Sequence, residues 1–148
     1  MRVCRERGLG PSVAVFEPGF LRVVLAYHAA GQLPAGTLVK FYFSEGGYLG
    51  GGAPLWGAPP TCESLDMYLA MLGNTPIPWA VAVLGGSLCD SHIARAALER
   101  GGHLRVGIED WDDGPANAEQ VAAAAALAHD SGRSIATVTD AARVLALP

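Results

Sequence analysis

Apolar and polar positions along the chain alternate between short apolar runs and longer amphipathic ones. Four runs read as strands: VAVFE (13–17), LVKFYF (38–43), WAVAVLG (79–85) and HLRVGIED (103–110). Each is rich in β-formers and is followed by a helical pattern. FLRVVLAYHAAG (20–31) spaces its apolar residues by three and four and stops at Gly31. TCESLDMYLAMLG (61–73) opens on Thr61 as a cap and ends at Gly73. SHIARAALERGG (91–102) ends at a double glycine. NAEQVAAAAALAHDSG (117–132) opens with Asn117 as cap and Gln120 at N3. A short helix over 138–146 closes the chain, and residues 1–8 read as the end of a helix.

Strands alternating with helices predict an α/β fold with a parallel sheet. A length of 148 residues predicts one domain, 1–148. Sheets of this kind carry chemistry at the carboxyl ends of their strands. The insert SEGGYLGGGAPLWGAPP (44–60) follows the second strand at that end. It exceeds the usual 2–6 residues of a βα connection, so it reads as a lid or ligand loop, or else as a surface excursion. Glu45 and Tyr48 are candidates there by position.

Composition adds constraints. The chain is 51% hydrophobic and 16% charged, against roughly 45–50% and about 25% in ordinary domains. So apolar a chain buries its strands on both faces or covers surface with a partner. A net charge of −4 without a basic run argues against nucleic acid. No apolar run approaches the length of about 20 residues that a membrane span needs. The N-terminus carries no apolar signal-peptide core. Three cysteines (Cys4, Cys62, Cys89) without CxxC spacing predict reduced thiols and a cytoplasmic protein.

The fourth run, GGHLRVGIEDW (101–111), raises the chemical question, because it sets Arg105, Glu109 and Asp110 on an apolar strand. Alternation places Leu104, Val106 and Ile108 on one face, under helices, and His103, Arg105, Gly107 and Glu109 on the other. Charges on an inner face are costly unless paired or metal-bound. The run therefore reads either as an ion pair of structure or as the upper end of a barrel's active site.

These residues carry a resemblance. GGHLRVGIEDW is similar to the eighth-strand signature of the β-keto acid cleavage enzymes, close to GGHVRVGLEDN. RERGLGPSVAVFEPGFL (5–21) resembles the family's entry to its fifth strand. NAEQVAAAAALAHDSGRSIATVTDAARVLAL (117–147) resembles its C-terminal helices, with Gly132, Arg133, Ala136 and Thr137 keeping a GR-x-x-A-T step. The resemblance covers nearly the whole chain but only about the second half of the family's length.

The resemblance implies the last four units of a TIM (β/α)8 barrel. It implies Glu109 as a zinc ligand beside two His of an HxH motif, and Arg105 with Asp110 as a catalytic pair. The implied reaction converts a β-keto acid and acetyl-CoA to acetoacetate and a new CoA thioester. No HxH occurs here; the histidines are His28, His92, His103 and His129. His103 sits at the strand's entry, some six extended residues or about 20 Å from Glu109, which makes it a poor zinc ligand. The family's arginine-bearing turn is replaced by LGGSLCD (84–90). Gly85, Gly86 and Ser87 there could offer N–H groups to an anion, or simply form a tight turn. Glu17 falls where the family is acidic, and either lines the site or caps the next helix.

Half a barrel leaves two open edges and an exposed inner layer, with Phe41, Phe43, Val81 and Val83 expected to lack part of their packing. The expectation is therefore a fragment that works with a missing N-terminal half or as a homo-oligomer. The alternative is a non-catalytic half-barrel or interaction module.

Overall fold

Val15, Phe41 and Val81 stand side by side across three parallel strands, and this row organises the molecule. The computed structural model describes residues 1–46, 52 and 56–147. Its strands are β1 (Ser12–Val15), β2 (Leu38–Ser44), β3 (Trp79–Leu84) and β4 (His103–Leu104). They pair in parallel in the order β1-β2-β3-β4. Space follows sequence without reversal, whereas a doubly wound sheet reverses at a switch point. Four such units are half of a (β/α)8 barrel.

The helices are α1 (Arg2–Glu6), α2 (Pro18–Ala29), α3 (Cys62–Leu72), α4 (His92–Glu99), α5 (Asn117–Asp130) and α6 (Val138–Val144). From α2 to α5 each helix packs against the next, forming one layer. Local chemistry explains their ends. Pro18 starts α2 in the first turn, where its missing N–H costs nothing. The Thr61 hydroxyl accepts the Ser64 N–H at 3.2 Å, capping α3 as its sequence predicts.

The main core lies between sheet and helices. Phe41, Phe43, Val81 and Val83 are buried against Leu65, Tyr68, Ile93 and Ala97. Phe41 stacks on Tyr68 with ring centroids 4.8 Å apart. Each fully buried side chain of this size contributes about 1.5–3 kcal/mol. This corrects one expectation: these strand residues face the helices and are fully packed. The other, concave face carries Phe16, Lys40, Tyr42, Ala80, Ala82, Leu84, His103 and Arg105. Its apolar members form a second, smaller cluster.

Two further expectations change. β4 leaves the sheet geometry after Leu104, and Ile108–Asp110 form a turn. Leu104 and Val106 still pack against the core, but Ile108 is exposed. The extended spacing expected between His103 and Glu109 therefore does not apply. Secondly, Asn117 does not cap α5. Ala116 occupies the cap position, and its N–H donates to the Glu119 carboxylate at 3.2 Å. The Asn117 side chain instead accepts the Ile108 N–H at 2.9 Å, fastening the turn after β4.

Candidate functional site at the end of the fourth strand

The site starts where pairing stops. The Arg105 N–H still donates to the Val81 carbonyl at 2.9 Å, so Arg105 continues β4 by one ladder bond. Three residues later the chain turns, with the Asp110 N–H donating to the Gly107 carbonyl at 3.0 Å. That turn folds Glu109 and Asp110 back onto the Arg105 guanidinium. Nη1 donates to Asp110 Oδ2 and Nη2 to Glu109 Oε1. The two carboxylates differ in setting: the Asp110 side chain is 6% exposed and that of Glu109 60%.

Neighbouring strands brace this cluster. The Gly85 N–H donates to the Asp110 carbonyl at 2.7 Å, joining the turn after β3 to the turn after β4. Gly85 has φ +76°, which a side chain would strain. Below lies Tyr42. The Arg105 guanidinium carbon is 5.4 Å from its ring centroid and Lys40 Nζ 5.6 Å. Both distances suit cation–π attraction. The pKa of Lys40 is lowered, first by burial and then by Arg105, with Glu109 acting the other way. Sequence reasoning missed Lys40. The signal was available, since it is the only lysine in the chain and interrupts an apolar strand.

Of the other candidate residues, Gly85 borders this cluster and the rest make their contacts elsewhere. Glu17, at the far edge beyond β1, accepts the Gly57 N–H through Oε1 at 2.9 Å. It precedes α2 but makes no side-chain cap. The Tyr68 hydroxyl donates to the Phe16 carbonyl at 3.4 Å, and its pKa is pushed up to about 12 by burial and by Glu17. The Gly85 N–H is already committed to Asp110. Gly86 carries the Glu45 carboxylate close against it. Ser87 Oγ accepts the Asp90 N–H at 3.3 Å. The helix that follows, α4, begins only at His92, and Ser91 at its cap position makes no side-chain cap, its hydroxyl donating to the Leu88 carbonyl at 2.5 Å. Tyr48 lies outside the described residues.

Metal binding has a plain test in the donor set. Among the described residues no three His, Cys, Asp or Glu side chains are grouped to hold an ion. Glu109 and Asp110 are both engaged by one guanidinium. A zinc site normally uses three protein ligands with water, or four. The described residues do not by themselves fit zinc.

The strand order and the charged cluster beyond the last strand define a protein of the β/α-barrel class, with its polar groups at the carboxyl end of the sheet. Within that class, the chain belongs to the β-keto acid cleavage enzyme family, whose model matches residues 1–147. It is 44% identical over 146 residues to a 3-oxoadipate:acetyl-CoA acetyltransferase of Cupriavidus necator, covering 93% of this chain and 48% of that protein. It is 28% identical over 156 residues to a 3-keto-5-aminohexanoate cleavage enzyme of Fusobacterium nucleatum, covering 99% of this chain and 51% of that protein. The chain spans about half the length of these curated relatives.

Proposed function

We propose that this chain supplies the Arg105–Asp110 half of an active site that exchanges acyl groups between a β-keto acid and acetyl-CoA. In that exchange the bond between the keto carbon and the carboxymethyl carbon breaks. The carboxymethyl group joins the acetyl group as acetoacetate, and the freed acyl group takes the CoA sulfur. The observation that carries the reading is the Arg105–Asp110–Glu109 cluster beyond β4, in a chain of this family. Asp110, buried and aimed by Arg105, takes and returns a proton. Arg105 offers charge to oxygen that becomes anionic.

Zinc belongs to the proposal only with ligands from outside these 148 residues, and Glu109 is the side chain that would join them. When bound there, zinc would act as a Lewis acid on substrate oxygens. The proposed unit is one β/α domain, 1–148, completed by the other half of a barrel. Three free thiols suit a cytoplasmic setting. Co-expression with the first half of the Cupriavidus necator relative tests the reading, with CoA-thioester formation from a panel of β-keto acids as the readout. Turnover that needs both halves supports it. A folded complex inert on every acid favours the second reading, a non-catalytic half-barrel, for which the incomplete donor set speaks.

A further inference from the structure

Three basic side chains escape full exposure: Lys40, Arg105 and Arg133. Two of them already hold acceptors. Arg105 holds two carboxylates. Arg133 Nη1 donates to the Leu98 carbonyl at 3.1 Å and the Gly102 carbonyl at 2.5 Å. Lys40 makes no hydrogen bond or ion pair among the described residues; its ammonium rests only on the Tyr42 ring. A half-buried cation with no acceptor costs stability and is relieved when an anion arrives.

Register shows where that anion would lie. Tyr42 pairs with Ala82, one layer above Lys40 and Ala80. His103 pairs with Ala80, which sets Arg105 level with Ala82 and Tyr42, so Lys40 lies a layer deeper from the carboxyl ends than either, roughly 7 Å along the strand. Ala80, which pairs with Lys40 on this face, is small and lines the cavity beside it. Lys40 and Arg105 border one cavity of about 520 Å³, with Leu38, Ala80, His103 and Val144. That volume suits a small organic ligand.

We propose that Lys40 is a specificity residue that binds the carboxylate at the far end of the substrate. The preferred substrates are then oxo acids with a second carboxylate. This rests on the function proposed above: the keto end lies by Arg105 and Asp110, and the tail runs inward to Lys40. Arg105, which already holds Asp110 and Glu109, is taken up at the keto end, and this leaves the far carboxylate to Lys40.

The single lysine makes the test direct. In the full chain grown with ¹³C-lysine, one lysine ε-carbon signal reports Lys40. Glutarate and pentanoate, equal in carbon number, are the probes. Glutarate should shift that signal and bind about tenfold more tightly than pentanoate, the worth of one charge-assisted contact. Lys40→Gln and Lys40→Met should each bring the two acids within about twofold. Arg22→Gln, which removes an exposed cation on α2, should leave the preference intact. An unmoved Lys40 signal at saturating glutarate overturns the proposal, and so does a preference that survives both lysine variants. Binding needs no turnover, so the outcome separates from the CoA-thioester assay. An active complex indifferent to Lys40 removes this inference alone. Lys40-dependent glutarate binding in an inert complex removes only the reaction.

Discussion

Arg105 and Asp110, five positions apart, face each other across the turn after β4, and the partner that carries the carboxylate is the more deeply buried of the two. The pair is therefore a structural commitment as well as a chemical one. Arg105→Leu strands a buried carboxylate and should cost on the order of 3 kcal/mol in urea unfolding, with an unchanged m value. Glu109→Gln touches an exposed carboxylate and should stay within about 1 kcal/mol. Asp110→Asn keeps the shape and most of the packing. In the completed enzyme it should lower CoA-thioester formation by about 10² to 10⁴ while the fold persists.

Two glycines around this turn separate fold from site. A Cβ on Gly102 would lie 2.3–2.8 Å from the Trp79 ring, which is buried and cannot yield. Gly102→Ala should therefore cost about 1–3 kcal/mol, read as a lowered urea midpoint. A Cβ on Gly107 would lie 2.4 Å from Glu109 Oε2, the end of a mobile side chain. Gly107→Ala should change stability by less than about 1 kcal/mol. Its effect should appear instead as lost activity in the completed enzyme, because the Glu109 carboxylate is pushed off Arg105. Equal stability losses in the two variants would contradict this division.

Much of this was legible in the sequence, and the misses have physical causes. The patterns found β1, β2 and β3, the Thr61 cap and the units' order. The charged motif led to Arg105, Glu109 and Asp110, which the structure brings together. Which face of β2 and β3 is concave was not legible. Apart from Lys40, LVKFYF and WAVAVL are apolar on both faces, as parallel strands covered on both sides must be. Phe41, Phe43 and Trp79 went to the helix side, where Leu65 and Tyr68 match them, and Ala80 and Ala82 went to the concave side with Tyr42. Alternation also failed after Leu104, because the chain leaves the sheet there and turns at Ile108–Asp110, a turn fastened by the Asn117 side chain and the Gly85 N–H that a strand period cannot register. Asn117 carries cap chemistry but spends it on the Ile108 N–H, a partner nine residues away.

Glu17 joins the end of β1 to the return of the long loop. Its Oε1 takes the Gly57 N–H, and the adjoining Phe16 ring meets Trp56 edge-on at 5.0 Å. Gly57 also has φ +86° and sits against the Ser44 hydroxyl, so the loop closes tightly onto β2. Glu17→Ala should free this amide with little loss of global stability, about 1 kcal/mol for one partly exposed charge-assisted bond. Hydrogen exchange at Gly57 should quicken about fivefold, while core amides such as Phe41 keep their rates. Unchanged exchange at Gly57 would show that the aromatic contacts alone hold the loop.

His103 gives the fold a pH dependence of defined sign. Its pKa is lowered from the ordinary 6.5, first by burial beneath the α5–α6 segment and second by the Arg133 charge. The unfolded chain takes up this proton near pH 6.5, whereas the folded chain resists it to lower pH. Between those two values the unfolded state binds more protons, so stability rises with pH there. The contribution is complete above pH 6.5 and is lost as the pH falls through the folded value. His103→Gln removes the titrating group but keeps a polar side chain of similar reach. Urea midpoints measured from pH 7.5 down to 5 should therefore fall more steeply for the natural chain than for His103→Gln, with the curves diverging below about 6.5. Parallel curves would mean that the folded chain protonates His103 as readily as the unfolded one, and that Arg133 spends its charge wholly on the Leu98 and Gly102 carbonyls.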